Sequence, residues 1–195
     1  MRACTAGWVV LGLALSVVWA SPCLADREDR GTPAELMAAL KVGQWVKMEG
    51  PAGNSASVTC TEAKIMAGDY LDDDWEIRGS VRRVDPTKGL VMVFTLAARL
   101  GDNAEFKGDS DDFEGLADVR TGMYVKLEGT YLRDGWFIAK KVSERTEELV
   151  KKPDHRGRVW VKGRIERVES GGRSVTVMGI PFVITSATRV KSGIR

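Results

Sequence analysis

Several segments of the chain alternate apolar and polar residues with a period of two. In Gly122-Met-Tyr-Val-Lys-Leu-Glu-Gly129, Val125, Leu127 and Gly129 share one face while Lys126 and Glu128 share the other. That is the pattern of a half-buried strand. The same alternation runs through residues 43–50, 77–85, 91–93, 161–169 and 175–177. Between these segments lie turn residues: Asp85-Pro86-Thr87-Lys88-Gly89, Arg133-Asp134-Gly135 and Ser170-Gly171-Gly172. Short alternating segments broken by such turns predict an all-β barrel or sandwich. One helix is predicted, over Thr32 to Leu40, where Thr32 can cap, Pro33 suits the first turn and Glu35 follows the cap by three residues.

The strands are repeated. Gly43-Gln-Trp-Val-Lys-Met-Glu-Gly50 returns as residues 122–129, an offset of 79, and Ile77-Arg-Gly-Ser-Val-Arg-Arg-Val-Asp85 returns as Val161-Lys-Gly-Arg-Ile-Glu-Arg-Val-Glu169, an offset of 84. Naming the second motif A and the first B, the chain reads B, A, B, A. The run of Gly79-Ser-Val-Arg-Arg-Val-Asp85, then residues 122–129, then Asp134-Gly-Trp-Phe-Ile-Ala139-Lys-Lys-Val142 resembles the bacterial domain-of-unknown-function 5666 family. The resemblance spans residues 74–145 and reaches the two flanks in halves. It implies exported, small OB-like β-barrels, often in tandem. Its motifs are structural glycines and valines, which bear on fold and are almost silent on function.

A five-stranded OB barrel divides into three strands from A and two from B. A lone B cannot close a barrel, and its open edges would invite aggregation. The expected architecture is therefore two OB-like five-stranded β-barrels: a continuous one over 74–145, and a split one pairing 33–70 with 156–195, with 146–157 as a linker. The rival arrangement pairs each B with the A that follows it, and the offsets do not choose between them.

Residues 1–25 carry one basic residue, Arg2, then an uncharged run from Trp8 to Ala20, then small residues before Asp26-Arg-Glu-Asp-Arg30. That is the pattern of a secretory signal peptide, and the uncharged run is too short to span a bilayer. Cleavage after Ala25 is favoured, with cleavage after Ala20 also satisfying the small-residue rule. No other segment is long and apolar enough to span, so a periplasmic or secreted protein is expected. Cleavage after Ala25 removes Cys4 and Cys23 and leaves Cys60 alone, a small buried hydrophobe or a reactive thiol. Cleavage after Ala20 would leave a Cys23 to Cys60 bridge open.

Composition narrows the chemistry. With 195 residues, 44 % apolar, 29 % charged and 6 prolines, the chain is neither collagenous, mucin-like nor wholly disordered. His155 is the single histidine, set in a polar stretch with no nucleophile nearby, so an enzyme is not expected. No phosphate loop or zinc spacing occurs, and no cofactor is expected. Asp69, Asp72, Asp73, Asp74 and Glu76 form one acidic cluster, and Asp109, Asp111, Asp112 and Glu114 another. Both lack the EF-hand register, so the alternative of a weak calcium-binding envelope protein rests on acidic loops alone.

Residues 151–195 hold 11 basic against 3 acidic side chains, and residues 66–120 hold 7 against 13. A basic strand pair beside aromatics resembles a nucleic-acid face, but export argues against that partner. Attraction between the two halves is the simpler reading. The expected role is a non-catalytic binding or structural module of the cell envelope, its partner an envelope protein, a glycan or an anionic ligand. OB barrels bind through the loops joining strands one to two and four to five. That nominates Arg83, Lys88, Tyr131, Arg133 and Trp136.

Overall fold

The computed structural model describes residues 32–53, 56–66, 74–108, 112–169, 171 and 173–192. The leader segment, Asp69, Asp72, Asp73, Asp109 and Asp111 lie outside the described residues. The chain is nearly all β. Its strands are β1 (Trp45–Pro51), β2 (Val58–Ile65), β3 (Trp75–Asp85), β4 (Leu90–Val93), β5 (Leu96–Lys107), β6 (Tyr124–Tyr131), β7 (Phe137–Glu144), β8 (Arg158–Glu169), β9 (Ser174–Val177) and β10 (Ile180–Ser192). Helix α1 (Pro33–Ala39) has the capping box its sequence predicts. The Glu35 amide donates to Thr32 Oγ1 at 3.2 Å and the Thr32 amide to Glu35 Oε2 at 2.6 Å. Its buried Leu36 joins the core.

The strands close into two rings. In one, β3 pairs β4, β4 pairs β5, β5 runs parallel to β7, β7 pairs β6, and β6 returns to β3. In the other, β8 pairs β9, β9 pairs β10, β10 runs parallel to β2, β2 pairs β1, and β1 returns to β8. The N-terminal B therefore completes its ring with the C-terminal A: Val46 lies opposite Gly163 and Met48 opposite Val161. Closure removes the open edges that a two-strand piece would expose.

The rings agree residue by residue under the offsets of 84 for A and 79 for B. Phe182 opposite Val58 corresponds to Ala98 opposite Phe137, and Arg189 opposite Glu62 to Glu105 opposite Lys141. The bulge between Val81 and Arg83 recurs between Ile165 and Arg167. Even the strained turn residues match, with φ of 54° at Phe94 and 52° at Met178. Gly50 and Gly129 share one reason for being glycine. A Cβ at Gly50 would fall on the Thr59 carbonyl oxygen, and one at Gly129 on that of Ile138.

The alternating residues fill one continuous core. Ile77, Val91, Val125, Leu127 and Phe137 are buried in the first ring described, and Val46, Met48, Val175, Ile180 and Phe182 in the other. Full burial of side chains of this size stabilises by about 1.5–3 kcal/mol each. The rings are joined by β3 and β8, where Glu76, Ile77 and Arg78 lie opposite Lys162, Val161 and Trp160.

Candidate functional site

The loop between β3 and β4 is built around Asp85, whose Oδ1 accepts from Thr87 Oγ1 at 2.7 Å and the Lys88 amide at 3.3 Å. The Thr87 hydroxyl, with the Lys88 amide and the nearby cations, holds the Asp85 carboxyl below its ordinary range. Gly89 closes the turn with φ of 61°. The loop between β6 and β7 closes through the Leu132 amide donating to the Trp136 carbonyl at 2.8 Å and the Gly135 amide to the Leu132 carbonyl at 3.0 Å. Asp134 Oδ1 accepts from the Trp136 amide at 3.3 Å.

Strand β5 ties these loops together at Arg99, a residue the sequence reading did not single out. Arg99 lies opposite Leu90, and the next amide, Leu100, donates to the Gly89 carbonyl at 3.1 Å. The Arg99 guanidinium sits 3.9 Å from the centre of the Trp136 ring. Arg83, Lys88 and Arg133 are exposed, with Lys88 Nζ 3.9 Å from Asp85 Oδ2. Tyr131 packs into the seam instead, its ring centre 5.4 Å from that of Trp75. Burial there pushes its hydroxyl up to about 12. The Arg99 to Trp136 stack has no copy in the other ring, where Val183 and Ser57 stand at the equivalent positions.

A second polar site lies at the seam. Strands β1, β8, β3 and β6 form one sheet, whose outer face carries Lys47, Glu49, Trp160, Lys162, Glu76, Arg78, Lys126 and Glu128. The Trp160 ring lies 4.6 Å from the Arg78 guanidinium and 5.6 Å from Lys47 Nζ. Residues 145–157, with helix α2 (Glu148–Lys151), are tied at both ends: the Arg145 amide donates to the Tyr124 carbonyl, and the Gly157 carbonyl accepts from the Ala52 amide. A cavity of about 230 Å³ there is lined by Glu49, Arg78, Tyr124, Trp160 and, from this segment, Glu148, Lys152 and His155. Arg158 Nη2 lies 2.8 Å from Glu49 Oε1 and Lys152 Nζ 3.9 Å from Glu148 Oε1, with His155 Nδ1 3.3 Å from that same Glu148 oxygen. Burial pushes the Tyr124 hydroxyl up to about 12.

Of the acidic residues, Asp74 lies 3.5 Å from Lys140 Nζ, and Glu76 is 2.7 Å from Arg78 Nε. Among the described residues no group of three or more His, Cys, Asp or Glu side chains is placed to hold a metal ion. Cys60 is buried with no disulfide among the described residues, and burial pushes its thiol up to about 12. No helix among the described residues is long and apolar enough to cross a membrane.

Two closed five-stranded rings with the strand order of an OB-fold, joined through one antiparallel pair, define the class: a double OB-like β-barrel. Residues 162–195, which span most of the last copy of A, match the family described as Domain of unknown function (DUF5666). The family resemblance read from residues 74–145 is thus found on the C-terminal copy of the same motif. No curated protein matches the chain. Among solved structures, the fimbrial biogenesis protein PilY2 from Pseudomonas aeruginosa PAO1 is 20 % identical, with 40 % of this chain and 95 % of that one covered at a TM-score of 0.32. A likeness at that level carries no argument about function.

Proposed function

We propose that the protein is an exported, non-catalytic binding module of the cell envelope that takes an anionic ligand at the loop end of the continuous barrel. The observation that carries this reading is the Arg99 to Trp136 stack, which joins the two loops through which OB barrels bind. Stacking holds the guanidinium in place while its edge stays free for a carboxylate or sulfate. Lys88 and Arg133, exposed on the same two loops, and exposed Arg83 on β3 add positive charge at this end of the barrel. The other barrel has the same backbone and lacks the stack, so folding alone does not demand it. The leader-like residues 1–25 support export. A non-catalytic role is supported by the raised thiol of buried Cys60, which keeps it a poor nucleophile.

The test is calorimetric titration with a carboxylated polysaccharide, polygalacturonate, against neutral dextran. Wild-type protein is expected to bind the anionic polymer only, with Arg99→Ala and Trp136→Ala each weakening binding by about tenfold. Absence of binding, or equal binding by the folded variants, overturns the reading.

A further inference from the structure

The two barrels copy one another closely, and the edge of the seam is where they part. Tyr131 and Trp75 on one side have Ala52 and Val159 as their equivalents on the other. On the first side the space is filled. The Trp75 ring lies 5.1 Å from that of Trp45 and 5.4 Å from that of Tyr131. A Cβ built on Gly163 would come within 2.6 Å of the Trp75 ring, and one on Gly179 within 3.3 Å of the Tyr131 hydroxyl.

On the other side the same space is a cavity of about 230 Å³, bordered by Ala52, Ser80, Arg82, Phe94, Val159, Gly157 and Arg158, whose guanidinium is paired with Glu49. Under the offset of 84, Phe94 stands where the filled half has Met178, Ser80 where it has Arg164 and Arg82 where it has Glu166. The chain therefore shows, in its own other half, what kind of group this space takes.

We propose that this cavity binds a small aromatic carboxylate, its ring lying where the equivalent half holds Tyr131 and Trp75 and its carboxylate on Arg82. The volume suffices, since a dry apolar cavity of about 150 Å³ already takes benzene. Ala52, Val159 and Phe94 supply apolar wall, and Phe94 is itself buried at 3 % exposure. Charge decides the substituent. In the filled half the position next to the aromatic pair is an acid, Glu166, whose two carboxylate oxygens accept from the Gly179 amide at 3.2 Å. In the open half it is Arg82, exposed, 5.2 Å from the centre of the Phe94 ring and with no ion pair among the described residues. A guanidinium so placed offers a planar fork that matches a carboxylate.

The experiment is saturation-transfer NMR and calorimetry on the whole chain with 4-hydroxyphenylacetate as probe. The neutral 4-(2-hydroxyethyl)phenol and the non-aromatic cyclohexylacetate serve as comparison arms. The aromatic acid is expected to bind saturably and both analogues about tenfold more weakly or not at all. Ala52→Tyr, which restores the residue of the filled half, should abolish binding without lowering the melting temperature, and Arg82→Ala should weaken it by about tenfold. Should Ala52→Tyr fail to fold, Ser80→Arg fills the cavity from its other wall, as Arg164 does opposite, and must likewise abolish binding. No saturable binding up to about 10 mM, equal binding of acid and neutral phenol, or unchanged binding by a folded filling variant overturns the proposal.

Discussion

Ile77 and Val161 lie directly opposite one another across β3 and β8, and each is the other's equivalent in the two copies of A. A twofold relation between the barrels therefore passes between them. Glu76 opposite Lys162 is mirrored by Trp160 opposite Arg78. Such self-complementary contacts are the mark of a symmetric dimer, realised here within a single chain. Both Ile77 and Val161 are fully buried, so the joint is part of the core. It is also where the acidic and basic halves of the sequence meet, with Glu76 and Lys162 each only 6 % exposed.

Removing residues 158–195 takes away β8 and β10, the partners that close β1 and β2 into a ring. The remaining edges are unpaired and Val46 and Met48 lose their cover. The truncated protein should leave the monomer peak on size-exclusion chromatography and aggregate. A monomeric, cooperatively melting truncation would contradict the ring closure.

Two glycines should be far less replaceable than a third. Gly50→Ala and Gly129→Ala each drive a methyl into a carbonyl of the neighbouring strand, and each should cost about 3 kcal/mol or more in urea unfolding. Gly43→Ala meets open space but keeps a φ of 88°, and should cost about 1 kcal/mol.

Alkali should destabilise the protein in a defined window. Burial pushes the Tyr124 and Tyr131 hydroxyls up to about 12, against about 10 in the unfolded chain. The folded state holds these protons longer, so their contribution is intact below about pH 10 and is lost as the pH rises towards 12. Buried Cys60, also at about 12, acts in the same direction. Phenolate absorbance should show a component with a midpoint near pH 12. Melting temperature should fall over the same range, and less so in Tyr124→Phe. Titration of both phenols near pH 10 would refute this.

Arg158 links three strands, with its Nη2 2.8 Å from Glu49 Oε1 and 2.6 Å from Thr61 Oγ1. A double-mutant cycle on Arg158→Ala and Glu49→Ala should return a coupling of about 1 kcal/mol. The coupling should shrink only partly in high salt, because both side chains are about three-quarters buried.

What the sequence determined by itself was local. The period of two placed the strands, Asp85 to Gly89 and Arg133 to Gly135 placed the turns, and Thr32 with Glu35 placed the capped helix, because each of these acts over a few neighbouring residues. The repeat also announced two barrels of one design. It could not say which B meets which A, since both copies carry the same pattern and satisfy either partner equally well strand by strand. Ring closure is where that choice is made, placing Val46 opposite Gly163 from the far end of the chain. The loop site divided the same way. Lys88, Arg133 and Trp136 were legible as loop residues, whereas Arg99 is an outward strand position whose meeting with Trp136 depends on β5 and β7 running parallel. Tyr131 looked like a loop residue, and only the second barrel beside it turned it into part of the seam. Contacts between residues distant in sequence have no period to betray them, so only the tertiary structure decided these.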